Sequence, residues 1–106
     1  MKKRQKTIAR TESNCSDRLK VIADPTRLAV LRQLLDDGPR TVGELNLSLK
    51  VEQSLLSHHL QILRESGLVL TTRDGKSVRY ELTQDTLRAA RNRKLDLGCC
   101  SLSFPR

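Results

Sequence analysis

The chain has 106 residues, a net charge of +8 at pH 7 and an isoelectric point of about 10.0. This length suits one small domain, and leucine has to supply most of its core because aromatic residues make up only 2% of the chain. No apolar run approaches the roughly 18 residues of a membrane span, and the excess of cations favours a polyanionic partner, with nucleic acid ahead of an anionic membrane.

The first part of the chain is polar and basic. Residues 1–14 carry five cations without sustained apolar periodicity, so we predict a flexible N-terminal arm there. No apolar segment of a signal peptide follows these charges, which favours a cytoplasmic protein whose thiols stay reduced. A short helix is predicted over about 16–23, with Leu19, Ile22 and Ala23 on one face.

Two helices with clear end signals come next. The stretch "ADPTRLAVLRQLLDDGPR" has Asp24 at a helix N-cap, Pro25 at the first helical position and Gly38 at the end. Its apolar stripe consists of Leu28, Leu31, Leu34 and Leu35. The following helix begins at Thr41 with Glu44 three residues later, which is the spacing of a capping box.

A helix predicted over 52–66 has two distinct faces. The apolar face consists of Leu55, Leu56, Leu60, Ile62 and Leu63. The polar face consists of Gln53, Ser54, Ser57, His58, Gln61 and Arg64. This polar face is nearly free of acids and can donate and accept hydrogen bonds, as the recognition of base edges requires. We expect His59, beside the apolar face, to be partly buried and hydrogen-bonded rather than a metal ligand, because adjacent helical residues point about 100° apart.

A β-hairpin is predicted around Asp74-Gly75, between the runs "LVLTTR" and "SVRYEL". Its tip carries Arg73, Lys76 and Arg79, which are suited to phosphate contacts. A last helix is predicted over about 84–95, with a thin stripe of Leu87, Ala90 and Leu95. Three helices with a tight connection between the second and third, followed by a hairpin, predict a mainly α winged helix-turn-helix with a small β-hairpin.

Three segments of the chain resemble the signature segments of the ArsR/SmtB family of bacterial metal-sensing repressors. They are "ADPTRLAVLRQLL", "SHHLQILRESGLV" and "RDGKSVRYEL", and the resemblance covers roughly 19–82. It implies a homodimer packed through its first and last helices, operator DNA bound by the ion-free protein, and release when an inducer binds. It also implies that 52–66 is the recognition helix and 68–82 the wing.

The positions where such sensors often bind their ions differ in this chain. Many arsenic and cadmium sensors of the family carry cysteines in the helix before the recognition helix, where this chain has "ELNLS" at 44–48. Zinc and nickel sensors often use Asp and His pairs on the last helix, which here offers Asp85 and no histidine. Lys50 stands at a turn position where the family often has glycine. The inducer therefore has to be inferred from other residues.

The three cysteines lie at the two margins of the chain. Cys15 precedes the first predicted helix, and Cys99 and Cys100 follow the last, so in the implied dimer they would converge at the interface. Trivalent arsenic and antimony are soft centres that favour three thiolates. Nearby cations that would favour thiolates are Arg18, Lys20, Arg91, Arg93 and Lys94. We expect As(III) or Sb(III) as the inducer, with no organic cofactor; the sequence leaves open whether Cys15 binds within its own chain or across the dimer.

Other interpretations of the same thiols remain. A redox or persulfide sensor of the same fold needs two thiols able to bridge, and Cys15 with Cys99 or Cys100 satisfies that requirement. Cadmium or lead could occupy the same sulfurs, and a constitutive architectural DNA-binding protein could carry incidental cysteines. An enzyme is disfavoured, because no nucleophile–base constellation is recognisable. We expect no framework of structural disulfides, since three cysteines cannot all pair within one chain.

The predicted organisation of the chain has three parts. They are the arm over 1–14, a winged helix-turn-helix domain over 15–97 and a cysteine-containing tail over 98–106. The expected partners are double-stranded operator DNA and a second copy of the chain, with no membrane.

Overall fold

The computed structural model describes residues 10–105, and their side chains from Cys15 onward. The elements in chain order are α1 (Arg10–Ile22), α2 (Pro25–Asp37), β1 (Arg40–Thr41), α3 (Val42–Leu49), α4 (Gln53–Glu65), β2 (Val69–Asp74), β3 (Ser77–Leu82), a 3-10 helix (Thr86–Asn92), β4 (Lys94–Asp96) and β5 (Ser101–Ser103). Within the described part of the chain, no helix combines the length and the apolar character needed to cross a membrane. The arm predicted over 1–14 lies mostly outside the described residues.

The predicted ends of α2 and α3 are confirmed. The Asp24 carboxylate accepts a hydrogen bond from the Arg27 amide at 3.0 Å, and α2 ends at Gly38, whose φ is +81°. At the start of α3 the Thr41 hydroxyl accepts from the Glu44 amide at 3.2 Å, and the Glu44 carboxylate accepts from the Thr41 amide at 2.8 Å. These bonds satisfy amides that the first helical turn leaves without partners.

Leucine fills the core, as the scarcity of aromatic residues requires. Helix α4 contributes Leu56, Leu60 and Leu63, all with 0% exposure, which pack in one cluster with residues of α2, α3, the wing and the chain's last segment. The apolar face predicted for this helix was too broad, since Leu55 is 46% exposed. Burial of Leu56, Leu60 and Leu63 stabilises the fold by roughly 1.5–3 kcal/mol for each side chain.

The predicted hairpin is confirmed as an antiparallel pair of β2 and β3. Asp74 lies opposite Ser77, so Gly75 and Lys76 form a two-residue loop, and Gly75 has the positive φ that such a turn requires. The short strand β1 adds to the outer side of β3, giving the order β1-β3-β2. This strand was not predicted, because two residues are too few to show a period of two. It ties the start of α3 to the wing.

The two ends of the described chain differ from the predictions. Helix α1 begins at Arg10, well before the start predicted near residue 16. The prediction of a helix over 84–95 was wrong: a 3-10 helix with a non-helical break at Ala89 ends at Arg93, whose φ is +58°, and β4 follows. The thin stripe explains the error, because Leu87 is 38% exposed while Leu95 is buried in β4 instead. The stretch predicted as a tail pairs back as β5.

Two helix caps give the fold a defined response to acid. The amide of Arg27 lowers the pKa of the Asp24 carboxyl below its ordinary value, and the amide of Thr41 does the same for the pKa of Glu44. Both carboxylates are therefore easier to ionise in the folded chain than in the unfolded one. Their stabilising contribution is present above the unfolded pKa of about 4 and is lost as the pH falls through the lower folded-state values.

We expect the free energy of unfolding, measured by urea denaturation, to decrease as the pH falls from about 4.5 to 3. Glu44→Gln and Asp24→Asn keep a capping group that cannot titrate, so both variants should lose stability less steeply over this interval. Asp37→Asn is the matched control, since Asp37 is exposed at the end of α2 and caps no helix start. A slope in both cap variants equal to that of the wild type would contradict this assignment.

Candidate functional site

The three cysteines meet within one chain. Cys15 lies on α1 and is 7% exposed, whereas Cys99 and Cys100 lie exposed in the turn between β4 and β5. Their sulfur atoms all lie within 4.8 Å of one another. The Cys100 sulfur is 3.7 Å from that of Cys15 and 3.8 Å from that of Cys99. The sequence predicted convergence by way of a dimer, but the fold brings these sulfurs together without a second chain.

A short hairpin presents the two C-terminal cysteines to α1. In its turn, the Leu97 amide donates to the Cys100 carbonyl at 2.8 Å, and Gly98 has a φ of +97°, which favours glycine. The Gly98 amide donates to the Asp96 carboxylate at 2.8 Å. Leu97 at 1% exposure and Phe104 at 9% anchor the hairpin in the core. The burial of Leu97 and Phe104 therefore fixes the position of the turn.

Cys15 and Cys99 are joined as a disulfide, and Cys100 is a free, exposed thiol. The bridge differs from the expectation that the thiols stay reduced, and it is one of the two pairings that the redox interpretation kept open. The two residues are 84 positions apart, and sequence spacing alone gives no information about their contact. The three cysteines thus include one pair that can bridge. After reduction the same cysteines provide three soft sulfur donors, a set that suits a thiophilic ion.

The cation nearest to Cys15 along α1 is Arg18, one helical turn away. Its guanidinium donates from Nη1 to the Leu97 carbonyl at 3.1 Å and from Nε to the Ser66 carbonyl at 3.3 Å. Arg18 is one of the cations expected from the sequence to favour thiolates at the cysteines. Arg93, which the sequence suggested for the same role, instead pairs with Asp36 at 2.6 Å.

An open, mainly apolar groove adjoins the sulfur atoms. It is lined by Cys15, Ser16, Leu19, Lys20, Ala23 and Cys99. Leu19 is 45% exposed there, so α1 keeps an apolar strip on its outer side. This strip lies on the helix through which the family resemblance predicts dimer packing.

The polar face of α4 is solvent-exposed along its length. All six residues predicted there are exposed, namely Gln53, Ser54, Ser57, His58, Gln61 and Arg64. Two of them are oriented by acids of the same region: the Ser54 hydroxyl donates to the Glu52 carboxylate, and the Gln61 amide donates to Glu65 at 3.2 Å.

Glu52 is a feature that the sequence interpretation missed. It is the N-cap of α4, and its carboxylate accepts from the Leu55 amide at 3.0 Å. The hydroxyl of Ser54 and the amide of Leu55 lower the pKa of Glu52, so the cap is anionic at neutral pH. The preference of helix N-termini for acidic caps could have indicated this role, and it adds one negative charge beside a face described as nearly acid-free.

The cations of the wing occupy different positions. Arg73 and Lys76 are exposed at the end of the β2–β3 hairpin, with Lys76 in the two-residue loop. Arg79 lies farther along β3, and its Nε is 3.7 Å from the Asp74 carboxylate, which offsets part of its charge. His59 is partly buried as predicted, with its side chain 12% exposed. The predicted hydrogen bond is not formed among the described residues: Nδ1 is buried without a partner, and Nε2 lies 3.9 Å from the Asp24 carboxylate.

These elements define the class of the protein. Helices α3 and α4 are joined by a tight connection, α4 presents an exposed polar face, and an antiparallel hairpin with basic residues lies beside it. This arrangement is a winged helix-turn-helix, mainly α with a small β-hairpin, and the predicted fold class is confirmed.

Residues 24–71 match the family described as "Bacterial regulatory protein, arsR family". A structure of reduced HlyU from Vibrio cholerae N16961 is similar to this chain with a TM-score of 0.67 and 35% identity, covering 84% of this chain and 88% of that one. The chain belongs to the arsR family.

Two curated relatives are similar over the same region. The biofilm growth-associated repressor of Agrobacterium fabrum is 44% identical over 73 residues, which is 69% of this chain and 60% of that protein. The arsenical resistance operon repressor of Escherichia coli is 42% identical over 64 residues, or 60% of this chain and 55% of that protein. The chain thus spans less than two thirds of the length of either relative.

Proposed function

We propose that this protein is a homodimeric transcriptional repressor that leaves its operator when As(III) or Sb(III) binds Cys15, Cys99 and Cys100. The observation that carries the proposal is the placement of three sulfur atoms within 4.8 Å of one another, on a helix and a hairpin turn anchored in one core. A donor set of three thiols, without imidazole, suits a trivalent soft centre better than tetrahedral zinc.

Binding requires the reduced form of the cluster. A cellular dithiol first gives two electrons and two protons to the Cys15–Cys99 bond and is itself oxidised to a disulfide. Each of the three thiols then displaces one hydroxide of arsenous acid, and the thiol proton leaves with that hydroxide as water. The adjacent residues Cys99 and Cys100 supply two sulfurs from one turn, and Cys15 supplies the third from α1. The similarity to an arsenical resistance operon repressor supports this choice of inducer. Cadmium or lead would compete for the same sulfurs.

The DNA-binding surface that we propose combines α4 and the wing. Helix α4 enters the major groove, where Gln53, Ser54, Ser57 and His58 face base edges and Gln61 and Arg64 extend the contact. Arg73, Lys76 and Arg79 of the wing contact phosphates and fix the orientation of the helix. Because the Ser54 hydroxyl donates its hydrogen bond to the Glu52 carboxylate, the lone pairs of its oxygen remain available to accept from a base-edge donor.

A second candidate function is supported by the disulfide. The bridged pair Cys15–Cys99 with a free Cys100 beside it suits a repressor that responds to peroxide or polysulfide. In that reaction the two thiols lose two electrons and two protons to the oxidant as the sulfur–sulfur bond forms. The two candidates differ in their need for Cys100, which is the third ligand of a metalloid but no part of the bridge.

The thiol experiment follows from that difference. Operator binding by reduced protein is measured by fluorescence anisotropy while arsenite is added, for the wild type, Cys15→Ser and Cys100→Ser. We expect arsenite to weaken operator binding of the wild type by about tenfold or more. Both variants should lose this response, because two sulfurs remain where three are needed.

A second set of measurements with an oxidant distinguishes the metalloid sensor from the redox sensor. Peroxide or polysulfide replaces arsenite, and peptide mapping records which cysteines are bridged. A wild type that ignores arsenite but is released by oxidant, together with a Cys100→Ser variant that is still released, would refute the metalloid assignment and favour the redox candidate. A wild type unaffected by either treatment would refute both and leave an architectural DNA-binding protein.

The DNA surface has its own test. Ser57→Ala and His58→Ala should weaken operator binding by at least about fivefold and affect unrelated DNA little, because they remove base-edge contacts. Lys76→Ala should weaken both DNAs alike and reduce the salt slope by about one. Arg91→Ala removes the same charge outside α4 and the wing and serves as the control. If the α4 and wing variants all bound like this control, the proposed surface would be wrong.

A further inference from the structure

One side chain touches both the thiol-bearing turn and the end of helix α4. Arg18 lies one helical turn after Cys15, and its guanidinium donates to the carbonyls of Leu97 and Ser66 at 3.1 and 3.3 Å. Leu97 lies two residues before Cys99, and Ser66 is the C-cap residue of α4. A single planar group therefore joins the sulfur cluster to the helix proposed to read DNA.

We propose that Arg18 is the positioning residue through which the state of the thiol cluster alters operator binding. This inference rests on the proposed function and names the route of its regulation. Arg18 need not touch the inducer or the DNA. It holds the Leu97 carbonyl and the Ser66 carbonyl at a fixed separation, so a displacement of the turn is passed to the end of α4.

Both backbone segments pack against the guanidinium at ordinary contact distance. Gly67 and Gly98 have φ values of +81° and +97°, and a Cβ atom added to them would lie 3.4 and 3.6 Å from Nη2 and Nη1 of Arg18. Glycine at both positions permits the positive φ that these two turns beside Arg18 adopt. The fixed fork of arginine can serve two carbonyls at once, which the point charge of lysine does less well.

The contact with Ser66 is electrostatically favourable. The carbonyls at the C-terminal end of a helix carry partial negative charge and lack partners within the helix. The Arg18 cation supplies a charged donor there, so it stabilises the position of the end of α4. If the Arg18 guanidinium moved toward Leu97, its hydrogen bond to the Ser66 carbonyl would be lost, and the end of α4 would be less restrained.

The residues that follow Ser66 are also hydrogen-bonded to the end of the wing. The Thr83 hydroxyl donates to the Gly67 carbonyl at 3.0 Å, and the Thr83 amide donates to the Leu68 carbonyl at 3.1 Å, directly after β3. Residues that Arg18 restrains are thus bonded to the base of the hairpin. A shift at Ser66 and Gly67 would move both parts of the proposed DNA surface together.

The thiol cluster has a physical means of moving the turn. In the bridged state Cys15 and Cys99 share a covalent bond, whereas three thiolates around one ion stand apart at non-bonded separations. Conversion between the states changes the position of Cys99 relative to α1. Leu97 belongs to the same turn, since its amide is bonded to the Cys100 carbonyl at 2.8 Å, so its carbonyl moves with the sulfurs.

A matched arginine holds the same C-terminal segment without reaching α4. Arg32 on α2 donates to the Pro105 carbonyl at 3.3 Å, and its guanidinium lies over the Phe104 ring at 5.4 Å from the centroid. Arg32→Met removes the same charge and the same kind of bond as Arg18→Met. It therefore controls for a general loosening of the C-terminal segment.

The experiment measures how far arsenite binding at the thiols weakens operator binding, and whether that effect needs Arg18. For the wild type, Arg18→Met, Arg18→Lys and Arg32→Met, operator affinity is measured with and without arsenite, and arsenite affinity is measured on reduced protein without DNA. We expect the wild type and Arg32→Met to lose about tenfold or more in operator affinity on arsenite binding. Arg18→Met should lose less than about threefold while binding arsenite as the wild type does, with Arg18→Lys between them.

The outcomes distinguish the inference from the function on which it rests. Full coupling in both Arg18 variants would overturn the role of Arg18 and leave the metalloid sensor intact. A wild type that does not respond to arsenite would overturn the proposed function and this inference together. If Arg18→Met fails to fold, as its melting curve would reveal, Arg18→Lys decides: coupling equal to that of the wild type overturns the inference, and reduced coupling supports it.

Discussion

The packing of the β4–β5 hairpin into the leucine core determines where the three thiols and the Arg18 contacts lie. Leu95, Leu97 and Phe104 bury this hairpin against the helices, and the turn between its strands thereby meets α1. Without this burial Cys15 and Cys99, 84 residues apart, would have no reason to meet. The same packing brings the Leu97 carbonyl to the guanidinium that also holds the end of α4. The proposed thiol site and the proposed contacts of Arg18 therefore both depend on the packing of this hairpin.

The sequence predicted features that depend on nearby residues. Thr41 and Glu44 are three positions apart, and their reciprocal bonds can be formed by any helix that begins there. Asp74-Gly75 specified the wing turn for the same reason. Features that depend on packing against distant parts of the chain were missed, including β1 and the β4–β5 hairpin. The Cys15–Cys99 bridge was kept only as one alternative. Leu95 illustrates the difficulty, because its burial fits either a helix stripe or a strand, and tertiary packing decides.

The cluster can exist in two chemically exclusive states. A bridge between Cys15 and Cys99 removes two of the three sulfur ligands, so an oxidised chain cannot bind arsenite through this site. Cys100, with its sulfur 3.7 Å from that of Cys15, is close enough to take part in thiol–disulfide exchange with the pair. Under the proposed function, the redox poise of the compartment sets the fraction of protein able to respond to a metalloid. This exclusivity makes the thiol state a variable that every binding measurement has to control.

We propose that the three thiols of a single chain hold one trivalent arsenic. Arsenic-edge X-ray absorption of the reduced protein, combined with the ratio of bound arsenic to protein, tests that claim most directly. We expect one arsenic per chain, surrounded by three sulfur atoms and no oxygen. One arsenic per two chains, or an arsenic with two sulfur neighbours and an oxygen, would contradict it.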